Sequence, residues 1–154
     1  MASETPVQGS IVVESKPSAM TQPCQRMLAA LAERGYSQDD IFAVHLAVEE
    51  AFLNAVKHGN KMDPDKKVAI DYILDQEKAE IWIADEGTGF DPKGVPDPRV
   101  GENLYRPEGR GLLLISAYMH LVEYNEQGNR VHMIRYKNTP VSPARESSSG
   151  QRDA

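Results

Sequence analysis

A chain of 154 residues, 40% hydrophobic and 26% charged, is sized and balanced for one soluble domain with a single sheet-and-helix core. Its net charge of −6 argues against a general nucleic-acid footprint, and no apolar run approaches the roughly 20 residues that span a bilayer. The lone Cys24 excludes an intrachain disulfide and a cysteine-built zinc site, and no secretory signal opens the chain, so a cytoplasmic protein is expected.

Residues 1–8 are small and polar and are expected to lie outside the fold. Ile11-Val12-Val13 is β-branched and reads as a first strand. Ser18 to Arg34 reads as a helix with Met27, Leu28 and Leu31 on its apolar side and Gly35 as its stop; Pro23 is tolerated only near its start. Ser37 caps a second helix, with Asp39 and Asp40 suited to its positive end. That helix runs to about His58 and stops at Gly59-Asn60. Its stripe of Ile41, Val44, Val48, Ala51 and Ala55 faces a core. Phe42, Leu46 and Leu53 form a second apolar group, which predicts packing on both a sheet and a neighbouring helix or subunit.

Asp63-Pro64-Asp65 is a turn. Lys67–Leu74 alternates as a strand, and Glu80–Asp85 follows at the spacing of an antiparallel hairpin. Residues 86–111 are rich in Gly and Pro, and a loop of that length in a compact domain is usually functional, here a lid over about 91–109. Leu112–Met119 is helical in pattern, and Leu121–Glu126 and Arg130–Tyr136 read as strands around Gln127-Gly128-Asn129. From Thr139 to the end Ser, Pro, Gly and Arg dominate, so 139–154 is expected to be a disordered tail and 9–138 the domain. The order β-α-α-β-β-loop-α-β-β argues α+β, a mixed, largely antiparallel sheet with helices on one face.

Three places carry possible chemistry. Glu50, Asn54 and His58 recur at four-residue intervals and drift along one edge of the second helix. Asn54 either meets a local polar partner or ligates Mg²⁺; Glu50 is either a solvated carboxylate or the group that accepts the proton of an attacking hydroxyl. His58 suits the helix C-terminus, with a place beside a nucleotide as a secondary role. Asp85-Glu86-Gly87-Thr88-Gly89 leaves a strand directly: it is either a turn or a carboxylate set to accept from an exocyclic amine, with glycines that let a flat ligand approach. Gly109-Arg110-Gly111 opens a helix, either as a tight entry or as an anion site. Taken together, the three can hold Mg²⁺, base and phosphates of one nucleotide.

This ordered set resembles the GHKL ATPase superfamily, with Glu50 to Asn54 as its N box, Asp85-Glu86-Gly87-Thr88-Gly89 as its first glycine box and Gly109-Arg110-Gly111-Leu112 as its second. Glu50-Ala51-x-x-Asn54-Ala55-x-x-His58-Gly59 is most similar to the bacterial anti-sigma-factor serine kinases of the RsbW and SpoIIAB type. The resemblance implies a two-layer Bergerat-type sandwich and an ATP-dependent serine/threonine protein kinase with Glu50 as catalytic base. It implies Asn54 on Mg²⁺, Asp85 on the adenine amine, Gly87 and Gly89 shaping the base pocket, and Gly109, Arg110 and Gly111 closing over the phosphates. Its implied partners are a small anti-sigma-factor antagonist that accepts the phosphate, a sigma factor, and a second copy of the chain. A nucleotide-dependent module that regulates a partner without phosphate transfer is the competing reading, and the intact Glu50/Asn54 pair favours the kinase.

Overall fold

The structure, a computed structural model, describes residues 5–87 and 115–141. Five strands form one sheet: β1 (Val7–Glu14), β2 (Lys67–Leu74), β3 (Lys78–Asp85), β4 (Leu121–Tyr124) and β5 (Arg130–Tyr136). Their order is β1-β2-β3-β5-β4, and each described pairing is antiparallel. Between β1 and β2 come a 3-10 turn (Pro17–Met20), α1 (Thr21–Glu33), α2 (Gln38–Asn54) and a π-helical turn (Ala55–Gly59). These helices cover one face of the sheet, which is the two-layer α+β arrangement expected from the element order.

Several boundaries differ from the sequence reading. β1 pairs with β2 over eight residues, from Val7 opposite Leu74 to Glu14 opposite Lys67, so residues 7 and 8 belong to the sheet. Gln8, Gly9 and Ser10 have little strand propensity; pairing with β2 overrides it. The expected helix over 18–34 splits into the 3-10 turn and α1, which places Pro23 in the first turn of α1, where no N–H is required. Beyond β3, residues 115–118 are helical, with Ile115 and Met119 fully buried. The lid over about 91–109 and residues 1–4 and 142–154 lie outside the described residues.

α2 is set as its sequence requires. The Ser37 hydroxyl accepts from the Asp40 N–H at 3.1 Å, a cap that contributes about 1 kcal/mol. Val44, Val48, Ala51 and Ala55 of the expected stripe are buried against the sheet. Alternation on β3 puts Ala79, Ile81 and Ile83 on the same helix-facing side, opposite Leu74, Tyr72 and Ile70 of β2. The next residue in that alternation is Asp85. A carboxylate therefore occupies the last place in an apolar row, under the end of α2. Cys24 is buried in the same core, and burial pushes its thiol up to about 11, so it stays an inert thiol.

Asp40 does more than suit the helix end. It is buried and accepts from Arg135 Nε at 3.0 Å and Nη2 at 2.9 Å, and from the Asn138 N–H at 2.8 Å. Arg135 also donates to the Tyr118 carbonyl at 2.7 Å. The pair thus ties the start of α2 to β5 and to the helical residues 115–118. Asp40→Ala strands the guanidinium, and urea unfolding is expected to show a loss of about 3 kcal/mol. A loss under about 1 kcal/mol would mean that solvent already reaches Arg135.

Candidate nucleotide site

The α-helical path of α2 ends at Asn54, and the last turn widens into a π turn closed by Asn60 N–H to Ala55 carbonyl at 2.7 Å. Such turns recur at functional sites because they re-aim side chains without ending the helix. Here the widened turn carries Gly59 directly onto Asp85. A Cβ at Gly59 would fall inside the Asp85 carboxylate, and a Cβ at Gly87 would fall inside the Gly59 carbonyl. Glycine is required at both places by space, since backbone and carboxylate pass in contact.

The Asp85 carboxylate is half-buried. Its Oδ1 accepts from the Gly87 N–H at 2.8 Å, and among the described residues no other group donates to it. Burial raises its pKa; the Gly87 hydrogen bond and the charge of Lys66 oppose that rise without cancelling it. Its backbone N–H donates to the Asn129 carbonyl at 2.9 Å, and Asn129 Nδ2 reaches the Gly87 carbonyl at 3.3 Å, so the β4–β5 turn braces the same corner. Tyr124, on the helix-facing side of β4, is pushed up to about 12 by burial and then by the Asp85 charge, and stays a neutral phenol. A partly desolvated carboxylate with one donor among the described residues and glycine on two sides suits a flat ligand that brings an N–H of its own. The free acceptor capacity of the carboxylate therefore fits the amine of an adenine ring.

Glu50 and Asn54 are half-buried on the helix that ends at Gly59, and His58 is exposed in the π turn. At the helical rise, Asn54 lies about 7 Å and Glu50 about 13 Å back along the axis from Gly59. The row therefore lies on the helical segment whose far end meets Asp85. The π turn shifts His58 off the four-residue line that joins Glu50 to Asn54. Gly89, Gly109, Arg110 and Gly111 lie outside the described residues. A separate concavity of about 550 Å³ lies on the edge strand, two strands from Asp85, lined by Ile11, Val12, Val13, Ala19, Pro23 and Arg26 among others. No carboxylate lines it, so it offers an adenine amine no charged acceptor.

Sequence reasoning placed Asn60 only as a helix stop. In the fold it is fully buried and its side chain meets three other segments. The one signal for it was an asparagine directly after the Gly that ends a helix. The sequence pattern puts Asn125 in a strand over 121–126 and Asn129 in the turn; β4 ends at Tyr124, and both asparagines shape the β4–β5 turn.

A helix ending on a strand-terminal Asp-x-Gly is the arrangement of a known class of ATPase. The chain belongs to the histidine kinase-like ATPase domain family, whose model matches residues 13–135. Within that class it is similar to proteins named serine-protein kinase RsbW. The one from Listeria monocytogenes serotype 4a is 34% identical over 119 residues, covering 72% of this chain and 76% of its own length. The one from Bacillus subtilis is 34% identical over 119 residues, covering 72% and 74%. A solved structure of the RsbU and RsbW domains of a Mycobacterium tuberculosis protein superposes with a TM-score of 0.57 at 17% identity, over 88% of this chain and 34% of that one. At that identity the likeness speaks for the fold.

The raised pKa of Asp85 has a measurable consequence. The folded state holds its proton more tightly than the unfolded chain, so the benefit of protonation is complete below the ordinary value of 3.8 and lost as pH rises through the folded value. At neutral pH the ionised carboxylate destabilises the fold. Asp85→Asn keeps an acceptor for the Gly87 N–H and removes the charge. Its Tm is expected to equal or exceed wild type at pH 7, with the gain shrinking towards pH 3.5, while affinity for ATP falls at least about tenfold. A lower Tm with intact ATP affinity would remove Asp85 from the site.

Proposed function

We propose that the protein is an ATP-dependent serine/threonine protein kinase and anti-sigma factor that phosphorylates a small anti-sigma-factor antagonist in a partner-switching circuit. The observation that carries this reading is the half-buried Asp85 carboxylate, held against Gly59 at the end of the helix that bears Glu50 and Asn54. Recognition of the base at the end of β3 and placement of the phosphates along α2 then fall on either side of one junction. The names of the relatives supply the class of reaction, a protein kinase acting on serine.

The chain's own residues divide the work. Asp85 accepts from the adenine amine, with Gly59 and Gly87 keeping the floor of the pocket flat. Asn54 offers a neutral amide oxygen, a ligand type that suits Mg²⁺, and Mg²⁺ when bound neutralises charge on the phosphates. Glu50, one turn earlier, orients the acceptor hydroxyl and takes its proton. Gly87 and Gly89 frame the base, His58 flanks the nucleotide, and Gly109, Arg110 and Gly111 close over the phosphates at the end of the lid. Phosphoryl transfer needs chiefly such positioning and charge neutralisation.

The partners follow from the same reading: the phosphoacceptor antagonist, a sigma factor that competes with it, and a second copy of the chain. Among the described residues no helix is long and apolar enough to cross a membrane, and we place the protein in the cytoplasm. We assign self-association to the exposed side of α2. Phe42 is 57% exposed there and meets Tyr118 edge-on, with ring centroids 5.9 Å apart. Phe42→Asp is expected to shift the sedimenting species from dimer to monomer; an unchanged dimer would place the interface elsewhere.

Incubation with ATP, Mg²⁺ and a candidate antagonist tests the kinase directly. Phosphate is expected on an antagonist Ser or Thr, with the rate lowered at least about 100-fold in Glu50→Ala and abolished in Asn54→Ala. Normal ATP binding without transfer to the cognate antagonist would instead make the protein a nucleotide-dependent binding module.

A further inference from the structure

Asn60 is 0% exposed, yet its side chain is all polar. Nδ2 donates to the Ser15 hydroxyl at 3.0 Å, just past β1, and to the Lys67 carbonyl at 2.9 Å, at the start of β2. Oδ1 accepts from the Glu86 N–H at 2.8 Å, the first backbone donor past β3. Its own N–H closes the π turn, and its carbonyl accepts from the Asp63 N–H at 3.0 Å. One buried amide thus joins the end of α2 to three strands, and no polar group on it is idle.

The order of contacts along the two segments gives this a functional sense. Gly59 lies on Asp85, Asn60 bonds Glu86, and the Gly59 carbonyl lies against Gly87. The Asn60–Glu86 bond is therefore one residue along from the Gly59–Asp85 contact on both segments. Lys67 N–H donates to Glu86 Oε1 at 2.8 Å and holds the same residue from the β2 side. Directly after Asn60, Lys61 and Met62 take φ values of 55° and 62°, a conformation disfavoured for side-chain-bearing residues. Met62 N–H to the Val56 carbonyl at 2.8 Å ties that strained segment back onto the π turn. The junction is held in place although its backbone would relax elsewhere.

We propose that Asn60 is a positioning residue for base recognition: by clamping the exit of β3 to the end of α2 it fixes where the Asp85 carboxylate meets the nucleotide. The proposal rests on the base-reading role of Asp85 given above. Without the Asn60 amide, the Glu86 N–H loses its partner, the first residues past β3 separate from Gly59, and Asp85 turns towards solvent. Selectivity for the exocyclic amine is then lost before overall binding is.

The test compares ATP with inosine triphosphate, which presents a carbonyl where adenine has its amine, by calorimetry on full-length protein. Wild type is expected to favour ATP at least tenfold, and Asn60→Ala to bring that ratio close to the value in Asp85→Ala. In the Asp85→Ala background, Asn60→Ala is expected to change the ratio no further. Asp40→Ala, which weakens the fold at the far end of α2, is expected to leave the ratio as in wild type, since lost stability alone does not distinguish the two nucleotides. A folded Asn60→Ala that keeps the wild-type ratio overturns the proposal. If Asn60→Ala does not fold, Ser15→Ala removes one acceptor of Nδ2 and is expected to lower the ratio a few-fold; an unchanged ratio there overturns it equally. Absence of any ATP preference in wild type would instead overturn the role of Asp85, and that of Asn60 with it.

Discussion

The end of α2 meets the end of β3 at a distance only glycine allows, and the rest of the molecule is arranged around that contact. Gly59 is pressed on Asp85, and Gly87 on Gly59. To bring them together, the helix must widen into a π turn, β3 must run to the helix-facing side at its last residue, and the β4–β5 turn must brace the corner through Asn129. The strand order follows the same need. β5 lies between β3 and β4, so the hairpin folds back and delivers Asn129 beside Asp85. The Asn60 amide locks the arrangement from inside.

Two buried or half-buried carboxylates show how the fold separates stability from function. Asp40 has a guanidinium at 2.9 Å and a backbone donor, so its charge is answered within the protein and it ties α2 to β5. Asp85 has, among the described residues, a single backbone N–H donor, and a pKa raised by burial. A charge left that poorly answered is a cost in the free protein and an attraction for a ligand that brings the missing donor. The same residue type thus does opposite work at the two ends of one helix, and the difference lies in what each meets.

Much of this was legible in the sequence, for reasons that can be named. The periodicity of Val44, Val48, Ala51 and Ala55 fixed the buried side of α2, and the alternation in Lys67–Leu74 gave β2 its bounds. Asp85 stood out because a charged residue followed an apolar strand and preceded glycines. What escaped was set by tertiary contact. Gln8, Gly9 and Ser10 in the first half of β1 have little strand propensity of their own and are ordered by β2. The π turn leaves no mark in an apolar pattern that continues through Ala55 and Val56. Asn60 reads as any helix-ending asparagine until Ser15, Lys67 and Glu86, far apart in the chain, are seen around it. The pairing of Asp40 with Arg135, 95 residues away, has no local signature at all.

Backbone amide shifts on titration with ATP test most directly whether the α2–β3 junction is where the base binds. The largest shifts are expected at Gly59, Asn60, Glu86, Gly87 and Asn129, with Val12, Thr21 and Arg26 at the edge-strand concavity unmoved. Shifts centred on that concavity, with Gly87 and Gly59 unmoved, would contradict the assignment of the nucleotide to Asp85.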